Sequence, residues 1–236
     1  MSEAASARAQ ILAGIRAALK RGPLGEAASA PLAARLAQHP RNLIPARAAS
    51  LDHAGRVDLF VGMAEEVQTT VDRVADPKDV PAAVAEYLTG QNLPAELVMA
   101  PDPALDAYPW ADRPMLRIRR DRAQDADAVS VTPAFAAIAE TGTLMLTSDP
   151  TRPTTLNLLP DTHIVVLRAD QVVGPYEEAW TRLRTAYPNG DWPRTINFIT
   201  GPSRTGDIEQ RIQLGAHGPR RLHIVLVGAA AAPSAA

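Results

Sequence analysis

Short apolar runs alternate with segments of helical periodicity along most of this 236-residue chain. Runs rich in Val, Ile and Leu and bounded by Gly, Pro or Asp are typical of strands. The sequence predicts strands at 70–74, 96–100, 115–119, 128–132, 143–146, 163–167, 195–200 and 222–227, the third of them at an edge. It predicts helices at 55–68, 79–89, 175–187 and 205–213, and a short helical turn at 133–139. This alternation indicates an α/β fold with a mostly parallel sheet that helices cover on both faces. Antiparallel pairing of the strands around 144 and 165 would make that sheet mixed.

The first 49 residues are expected to form an extension of this domain. Residues 6–20 place Ile11, Ile15 and Leu19 on one helical face, and Gly22-Pro23 ends the helix. The helix covers either its own domain or a partner subunit. Residues 22–50 are rich in Ala, Pro and Arg without a strong period, and we expect an extended connector there. The α/β domain is predicted over 50–228, followed by a mobile tail at 229–236.

Composition excludes several classes of function. The chain has no cysteine, which rules out disulfides, cysteine catalysis and thiolate-held iron–sulfur clusters. A net charge of −2 gives no general attraction to nucleic acid or to anionic membranes. No apolar run reaches the roughly 18 residues of a membrane span, and no signal-peptide pattern opens the chain. We therefore expect a soluble, cytoplasmic protein with no nucleic-acid partner and no membrane span.

One group of polar side chains lies in the turn Glu140-Thr141-Gly142-Thr143, immediately before a predicted strand. Strand ends are where α/β proteins usually place their sites. A carboxylate such as that of Glu140 can serve as a general base or a nucleophile. It can also contact a ligand, or order the turn through backbone hydrogen bonds. These three roles for Glu140 remain open from the sequence.

A second group lies in Gly201-Pro202-Ser203-Arg204-Thr205-Gly206, which follows a predicted strand and is expected to open a helix. Backbone N–H groups at a helix start favour anions, and Arg204 can hold a carboxylate or phosphate with two hydrogen bonds. Asp207 already places negative charge in the first turn, so a simple helix cap is an equal alternative. The segment lacks the Gly-Lys-Ser/Thr ending of a P-loop.

Three histidines raise the question of a metal site. His163 and His223 begin apolar strands, where a packed histidine with one hydrogen bond is the usual role. His217 lies in a tight loop near the presumed site and can contact a ligand or transfer a proton. No His-x-x-x-His spacing or carboxylate cluster supports zinc, so we predict no metal site. Asp161 is either a turn residue or a contact to a substrate hydroxyl, and Arg152 either clamps a carboxylate or is solvated.

Three motifs, taken in order, resemble the LUD-domain family. They are Glu-Thr-Gly-Thr from residue 140, Leu-Pro-Asp-Thr-His from 159 and Gly-Pro-Ser-Arg-Thr-Gly-Asp-Ile-Glu from 201. The resemblance covers residues 125–228 well, follows only the order of elements over 50–124, and does not reach the first 45 residues. It implies the NagB/RpiA-like fold shared by CoA transferases and ribose-5-phosphate isomerases. It also implies a part in oxidising L-lactate to pyruvate beside two iron–sulfur proteins. The clusters would lie on those partners, and this chain would bind no cofactor.

Three functions follow from these observations, and the sequence does not choose whether the chain is an enzyme. The first is a non-redox substrate-binding or accessory subunit of a lactate-utilisation system. The second is a stand-alone CoA-transferase-like or sugar-phosphate isomerase-like enzyme that uses Glu140. The third is a small-anion binding module without catalysis. The predicted site combines Glu140 as catalytic residue with a ligand-binding set suited to a hydroxy acid or a phosphorylated compound. That set comprises Thr141, Gly142, Thr143, Asp161, Gly201, Ser203, Arg204, Thr205, Asp207 and His217.

Overall fold

The computed structural model describes residues 6–20, 22–41, 43–208 and 211–228. Its contacts divide the chain into two compact units, one ending at Leu43 and the other beginning at Ile44. The predicted tail after Gly228 lies outside the described residues. Within the described residues, no helix combines the length and apolarity needed to cross a membrane.

The first unit contains two helices, α1 (Ala7–Ala18) and α2 (Glu26–Gln38), and no residue of either helix is buried. The side chain of Ser6 caps α1 by accepting a hydrogen bond from the backbone N–H of Ala9. The predicted extended connector at 22–50 is wrong, because α2 and the short α3 (Ala46–Ala49) occupy much of it. The sequence reveals a helix through an apolar stripe that becomes buried, and α2 has no buried residue. Its many alanines favour the helix, which continues past Pro31.

The second unit is built on a six-stranded, wholly parallel sheet. Its strands in chain order are β1 (Thr70–Val74), β2 (Glu96–Met99), β3 (Arg117–Arg120), β4 (Val129–Pro133), β7 (Thr162–Arg168) and β12 (Arg221–Val227). Their spatial order is β1-β12-β7-β4-β2-β3. The predicted α/β class with a mostly parallel sheet is confirmed, and the arginine-rich β3 lies at an edge as expected. The continuous apolar runs of β7 and β12 are buried on both faces, as parallel strands require.

Helices cover this parallel sheet on its two faces. They are α4 (His53–Glu66), α5 (Val80–Gly90), α6 (Pro103–Asp106) and α7 (Thr155–Leu158), with single 3-10 turns at Pro77–Asp79, Trp110–Asp112 and Ala169–Gln171. A further helix, α8 (Tyr176–Ala186), packs instead against Ala136, Ile138 and Met145. One core packs α5 against the sheet through Val84 and Leu88. The opposite core packs α4 against it through Phe60 and Val57. The sequence predicts both ends of α4, α5 and α8 to within two residues because each helix has one buried face.

A second sheet, of four strands, packs in the core that contains α4. It comprises β5 (Ala136–Ile138), β6 (Thr143–Thr147), β8 (Val172–Val173) and β9 (Ile196–Ile199) in the order β8-β5-β6-β9. Two predictions are wrong here: the helical turn at 133–139 is strand β5, and β6 does not pair with β7. Instead β6 pairs antiparallel with β5 and β9, while β7 lies between β12 and β4. Both β6 and β7 are buried on both faces along almost their whole length, so their sequences do not reveal which neighbour each pairs with.

An antiparallel hairpin, β10 (Arg204–Ile208) with β11 (Arg211–Leu214), follows β9. The predicted helix at 205–213 is therefore wrong. Gly206 disfavours a helix interior, and Thr205 and Ile208 are β-branched residues that favour strands. The correction removes the helix start, and with it the macrodipole argument, from the Gly-Pro-Ser-Arg segment.

Candidate functional site

The two predicted polar segments meet at one end of the strands of the second sheet. Ile138 at the end of β5 pairs with Thr143, and Leu144 pairs with Ile199 at the end of β9. The turn after β5 and the loop after β9 are therefore neighbours. Both segments lie at the carboxyl ends of strands, as sites in α/β proteins usually do, but the strands are β5 and β9 of the second sheet and not those of the parallel sheet.

A chain of hydroxyl groups joins the two segments. The Oγ1 of Thr143 lies 2.7 Å from that of Thr141 and 2.7 Å from that of Thr200. The phenol of Tyr176 lies 3.1 Å from Thr143 Oγ1 and 3.2 Å from Thr141 Oγ1. Thr143 is completely buried, so its hydroxyl is satisfied by protein rather than by solvent. This gives Thr141 and Thr143 a structural role whether or not a ligand binds.

The carboxyl end of α4 lies directly against both segments. A Cβ on Gly142, whose φ is +64°, would lie 2.4 Å from the backbone nitrogen of Ala64. A Cβ on Gly201, whose φ is +76°, would lie 2.5 Å from the carbonyl oxygen of Val67. Glycine is required at both positions by backbone conformation and by close approach. Both glycines thus position the site, whatever they contact in a ligand.

Glu140 is held through its main chain. Its N–H donates to the carbonyl of Gly174 at 3.2 Å, and its own carbonyl accepts from the guanidinium of Arg47. The residue is half-buried, and it is not among the described residues that line a cavity formed by the loop after β9. This geometry fits the turn-ordering role, while the catalytic role of Glu140 stays a prediction.

A cavity of about 430 Å³ opens where the loop after β9 faces the amino ends of β7 and β12. Its polar lining includes Thr200, Ser203, Arg204, His217, Asn157 and His163, and its apolar lining includes Phe198, Ile199 and Leu222. Four members of the predicted set, Gly201, Ser203, Arg204 and His217, are thus brought to one cavity.

Ser203 organises the loop at the mouth of this cavity. Its N–H donates to the carbonyl of Pro219 at 2.8 Å, and its carbonyl accepts from Gly215 at 2.9 Å. Its hydroxyl accepts from the backbone N–H of His217 at 3.2 Å. Arg204 is exposed, and one of its Nη groups donates to the carbonyl of Val67 at 3.3 Å. Arg204 therefore presents a positive charge at the rim, because that bond uses one of its five N–H donors.

The other predicted residues lie elsewhere. The carbonyl of Asp161 accepts from the backbone of Arg220 and Arg221, and its exposed carboxylate lies 3.7 Å from Arg220 Nε. Asp161 is not among the described lining residues, and these contacts match the turn role. Thr205 is half-buried on β10, and Asp207 lies on the same strand with its side chain outside the described part of the structure.

His163 is a lining residue that the sequence presents only as a packed histidine. It is fully buried, and its Nε2 lies 2.7 Å from Thr132 Oγ1, as a packed histidine with one hydrogen bond would be. Its Nδ1 has no hydrogen-bond partner among the described residues. Burial lowers the pKa of His163 to about 3, so the ring is neutral at physiological pH. The pairing of His163 with Leu222 on β12 brings the ring to the cavity, and no local sequence pattern signals that pairing.

This arrangement suits a small molecule that carries both an anionic group and hydroxyls. Arg204 offers charge-assisted donors, while Ser203, Thr200 and Asn157 offer neutral polar groups. The described residues contain no group of three or more His, Cys, Asp or Glu side chains able to hold a metal. An iron–sulfur cluster does not fit this chain either, because no cysteine is available to ligate it.

Comparison with known proteins identifies several relatives. The LUD domain model matches residues 57–227. Lactate utilization protein C of Exiguobacterium sp. is 35% identical over 123 residues, which are 52% of this chain and 53% of that protein. The protein of the same name from Deinococcus radiodurans is 35% identical over 161 residues, 64% of this chain and 69% of that protein. That from Geobacillus sp. is 32% identical over 128 residues, 54% of this chain and 52% of that protein. The chain thus spans about half the length of two of these three relatives.

A solved structure has the same fold. The crystal structure of a DUF162 family protein from Deinococcus radiodurans matches this chain with a TM-score of 0.58 at 27% sequence identity. The match covers 75% of this chain and 99% of that one.

Proposed function

The chain belongs to the LUD domain family, and on that premise we propose that it works in lactate utilisation. The observation that carries the proposal is the name, lactate utilization protein C, of the relatives that match its α/β domain. We propose specifically a non-redox subunit, substrate-binding or accessory, of a cytoplasmic system that oxidises L-lactate to pyruvate.

The chemistry of the reaction supports a division of labour. Oxidation of lactate to pyruvate removes two electrons and two protons, so the system must contain an electron acceptor. This chain has no cysteine for a cluster and no dinucleotide-binding glycine motif, and a pair of iron–sulfur partner proteins would carry the electrons. The role left to this chain is to bind and orient a substrate or to hold the assembly together.

The 430 Å³ cavity is the proposed place for the hydroxy or keto acid. Arg204 at its rim would take the carboxylate, and the hydroxyls of Ser203 and Thr200 would face the remaining oxygen. Neutral His163 at its base would add a polar contact through Nδ1.

A small-anion binding module without catalysis is the second candidate, and the same cavity favours it. A CoA-transferase-like or isomerase-like enzyme would depend on Glu140, which does not belong to the described lining. Turnover of acyl-CoA or sugar phosphates by the isolated chain would establish that enzyme, and Glu140→Gln should then abolish it.

The decisive experiment for the system is affinity isolation of the tagged chain from its native cells grown on lactate. We expect two cysteine-rich proteins to co-purify, with the iron on them. The chain purified alone should be colourless and free of stoichiometric iron and flavin. Iron–sulfur absorbance in the pure chain, or isolation without any cysteine-rich partner, would contradict the proposal.

The ligand site is tested by calorimetry with lactate, pyruvate, CoA and inorganic phosphate. Arg204→Ala should weaken carboxylate binding about ten- to a hundredfold, the loss of a charge-assisted bond of roughly 1.5–3 kcal/mol. Arg122→Ala, an exposed arginine outside the cavity, is the matched control and should bind as the wild type does. If the wild-type chain binds none of these compounds, the cavity assignment fails and the accessory role is favoured over the substrate-binding role.

A further inference from the structure

A second cavity, of about 290 Å³, lies at the carboxyl ends of the strands of the parallel sheet. Its lining comes from the segments that follow β2 and β4 and from the end of β7, at Asp102, Pro133 and Arg168. It shares no described lining residue with the 430 Å³ cavity, which borders the amino ends of β7 and β12. The two cavities are therefore separate sites.

The topology singles out this location. Strands β2 and β4 are neighbours, but the chain leaving β2 passes through α6 to β3 on the outer side. The chain leaving β4 turns the other way, through the second sheet to β7. Adjacent parallel strands whose connections diverge leave a crevice outside their carboxyl ends, and open α/β sheets generally bind ligands there.

One wall of the crevice is rich in arginine. Arg152, Arg168 and Arg182 line it together with the carboxylate of Asp102, while Asp149 and Asp170 pair with Arg152 and Arg168 from outside the described lining. Arg152 is already bound: its Nε lies 3.2 Å from Asp102 and 2.8 Å from Asp149. Arg152 therefore stabilises this wall, and its guanidinium group is not free to bind a ligand with two hydrogen bonds.

Arg168 and Arg182 both bind Asp170, and each keeps N–H donors that these bonds do not use. Arg168 makes a two-pronged ion pair with the Asp170 carboxylate, at 2.9 and 2.8 Å. Arg182 donates from Nη1 to the carbonyl of Asp170 at 3.0 Å. These bonds use two of the five N–H donors of Arg168 and one of the five of Arg182. The partners thus orient both guanidinium groups without exhausting them.

The rest of the crevice is apolar and aromatic. Tyr108, Phe135, Leu105 and Val166 line it, and Tyr108 is held edge-on against Trp110 with ring centroids 6.3 Å apart. A simple hydrated ion gains nothing from such a wall, whereas an organic anion buries its carbon skeleton there.

We propose that this crevice is a second ligand site, which binds a small organic anion. Arg168 and Arg182 hold its carboxylate or phosphate group, and its apolar part packs against Tyr108 and Phe135. The proposal goes beyond lactate utilisation and does not depend on it, because it rests on a cavity that the proposed hydroxy-acid site does not use.

The test uses the full chain, with binding measured by calorimetry and by amide chemical shifts. The probes are phenyl phosphate, benzoate, inorganic phosphate and the neutral benzyl alcohol. We expect phenyl phosphate or benzoate to bind at least tenfold more tightly than both inorganic phosphate and benzyl alcohol, and the favoured probe identifies the anionic group. The shifts should involve residues after β2 and β4.

Variants then assign the site. Arg182→Ala should weaken the favoured probe at least tenfold, Arg182→Gln serves if the alanine variant folds poorly, and Arg204→Ala in the other cavity should have no effect. Equal binding of benzyl alcohol, absence of binding by either aromatic anion at millimolar concentration, or loss of binding in Arg204→Ala but not in the Arg182 variants would each overturn the proposal.

Discussion

Two core histidines, His163 and His223, are buried in the same way. Each has one ring nitrogen bonded to a threonine hydroxyl: His163 to Thr132 at 2.7 Å and His223 to Thr70 at 2.8 Å. Burial lowers the pKa of His163 to about 3 and that of His223 to about 4. A backbone hydrogen bond with Thr70 raises the pKa of His223, but the loss of hydration dominates. Both rings are therefore neutral in the folded protein.

We predict that the folded state loses stability steadily as the pH falls from 6.5 to 5. The unfolded chain binds protons at both histidines with a pKa near 6.5, and the folded chain does not. Protonation therefore favours unfolding, by about 1.4 kcal/mol per pH unit for each histidine once the pH is well below 6.5. The two together should cost about 3 kcal/mol between pH 6.5 and 5. Urea denaturation at a series of pH values measures this slope.

Single variants assign the slope to its residues. His163→Gln and His223→Gln should each retain about half of it, and the double variant should remove most of it. Carboxylates whose pKa is lowered, such as Asp149, contribute only below about pH 4. In Asp149 burial alone would raise the pKa, but hydrogen bonds from Thr151 and Arg152 outweigh it. A full slope in the double variant would show that other groups cause the effect.

At the scale of elements, the turn between β5 and β6 depends on its approach to α4. We predict that Gly142→Ala destabilises the protein by about 2–5 kcal/mol, the sum of a left-handed backbone and a backbone clash. Gly190→Ala is the matched control, because Gly190 also has a positive φ, +78°, but a Cβ there meets nothing within 4 Å. It should lose only about 1–2 kcal/mol. Chemical denaturation compares the two, and equal losses would show that the contact with α4 contributes nothing.

Elements that bury one face, or both, were predictable from the sequence. Strands β2, β7 and β12 and helices α4, α5 and α8 carry that signal. Elements whose conformation depends on their neighbours were not. The short β5 lacks enough residues to show alternation, and α2 has no buried side. The hairpin β10–β11 is stabilised by pairing between its own strands, which no single strand reveals.

The same division applies to the candidate site. Ser203, Arg204 and His217 lie within 15 residues of one another in the chain, and the structure brings them to one cavity. His163 joins them only through the parallel packing of β7 beside β12, which pairs His163 with Leu222. Arg152 shows the converse: its sequence context suggested an exposed loop arginine, yet the fold half-buries it between Asp102 and Asp149. The pairing of His163 with Leu222 and the contact of Arg152 with Asp102 join residues about 50 or more positions apart in the chain, so local patterns do not encode them.

At the scale of the whole molecule, the hydrophobic core belongs to the second unit. The three clusters of buried residues draw on Val57 through Val227, and α1 and α2 contribute none. The division between units falls at Leu43–Ile44. The second unit therefore contains the groups whose burial stabilises a fold, while the two helices described in the first unit bury no residue.

We predict that a chain beginning at Ile44 keeps its melting temperature within about 3 °C of the full chain, a difference below roughly 1 kcal/mol. It should also retain anion binding, since every described lining residue of both cavities lies beyond position 100. Calorimetric melting and titration with phenyl phosphate measure the two properties.

The same truncation tests what α1 does, because Ile11, Ile15 and Leu19 are each at least half exposed. If α1 packs on a partner, the truncated chain should lose co-purifying proteins without losing stability. A fall of 10 °C or more would instead assign α1 and α2 to the stability of the domain itself.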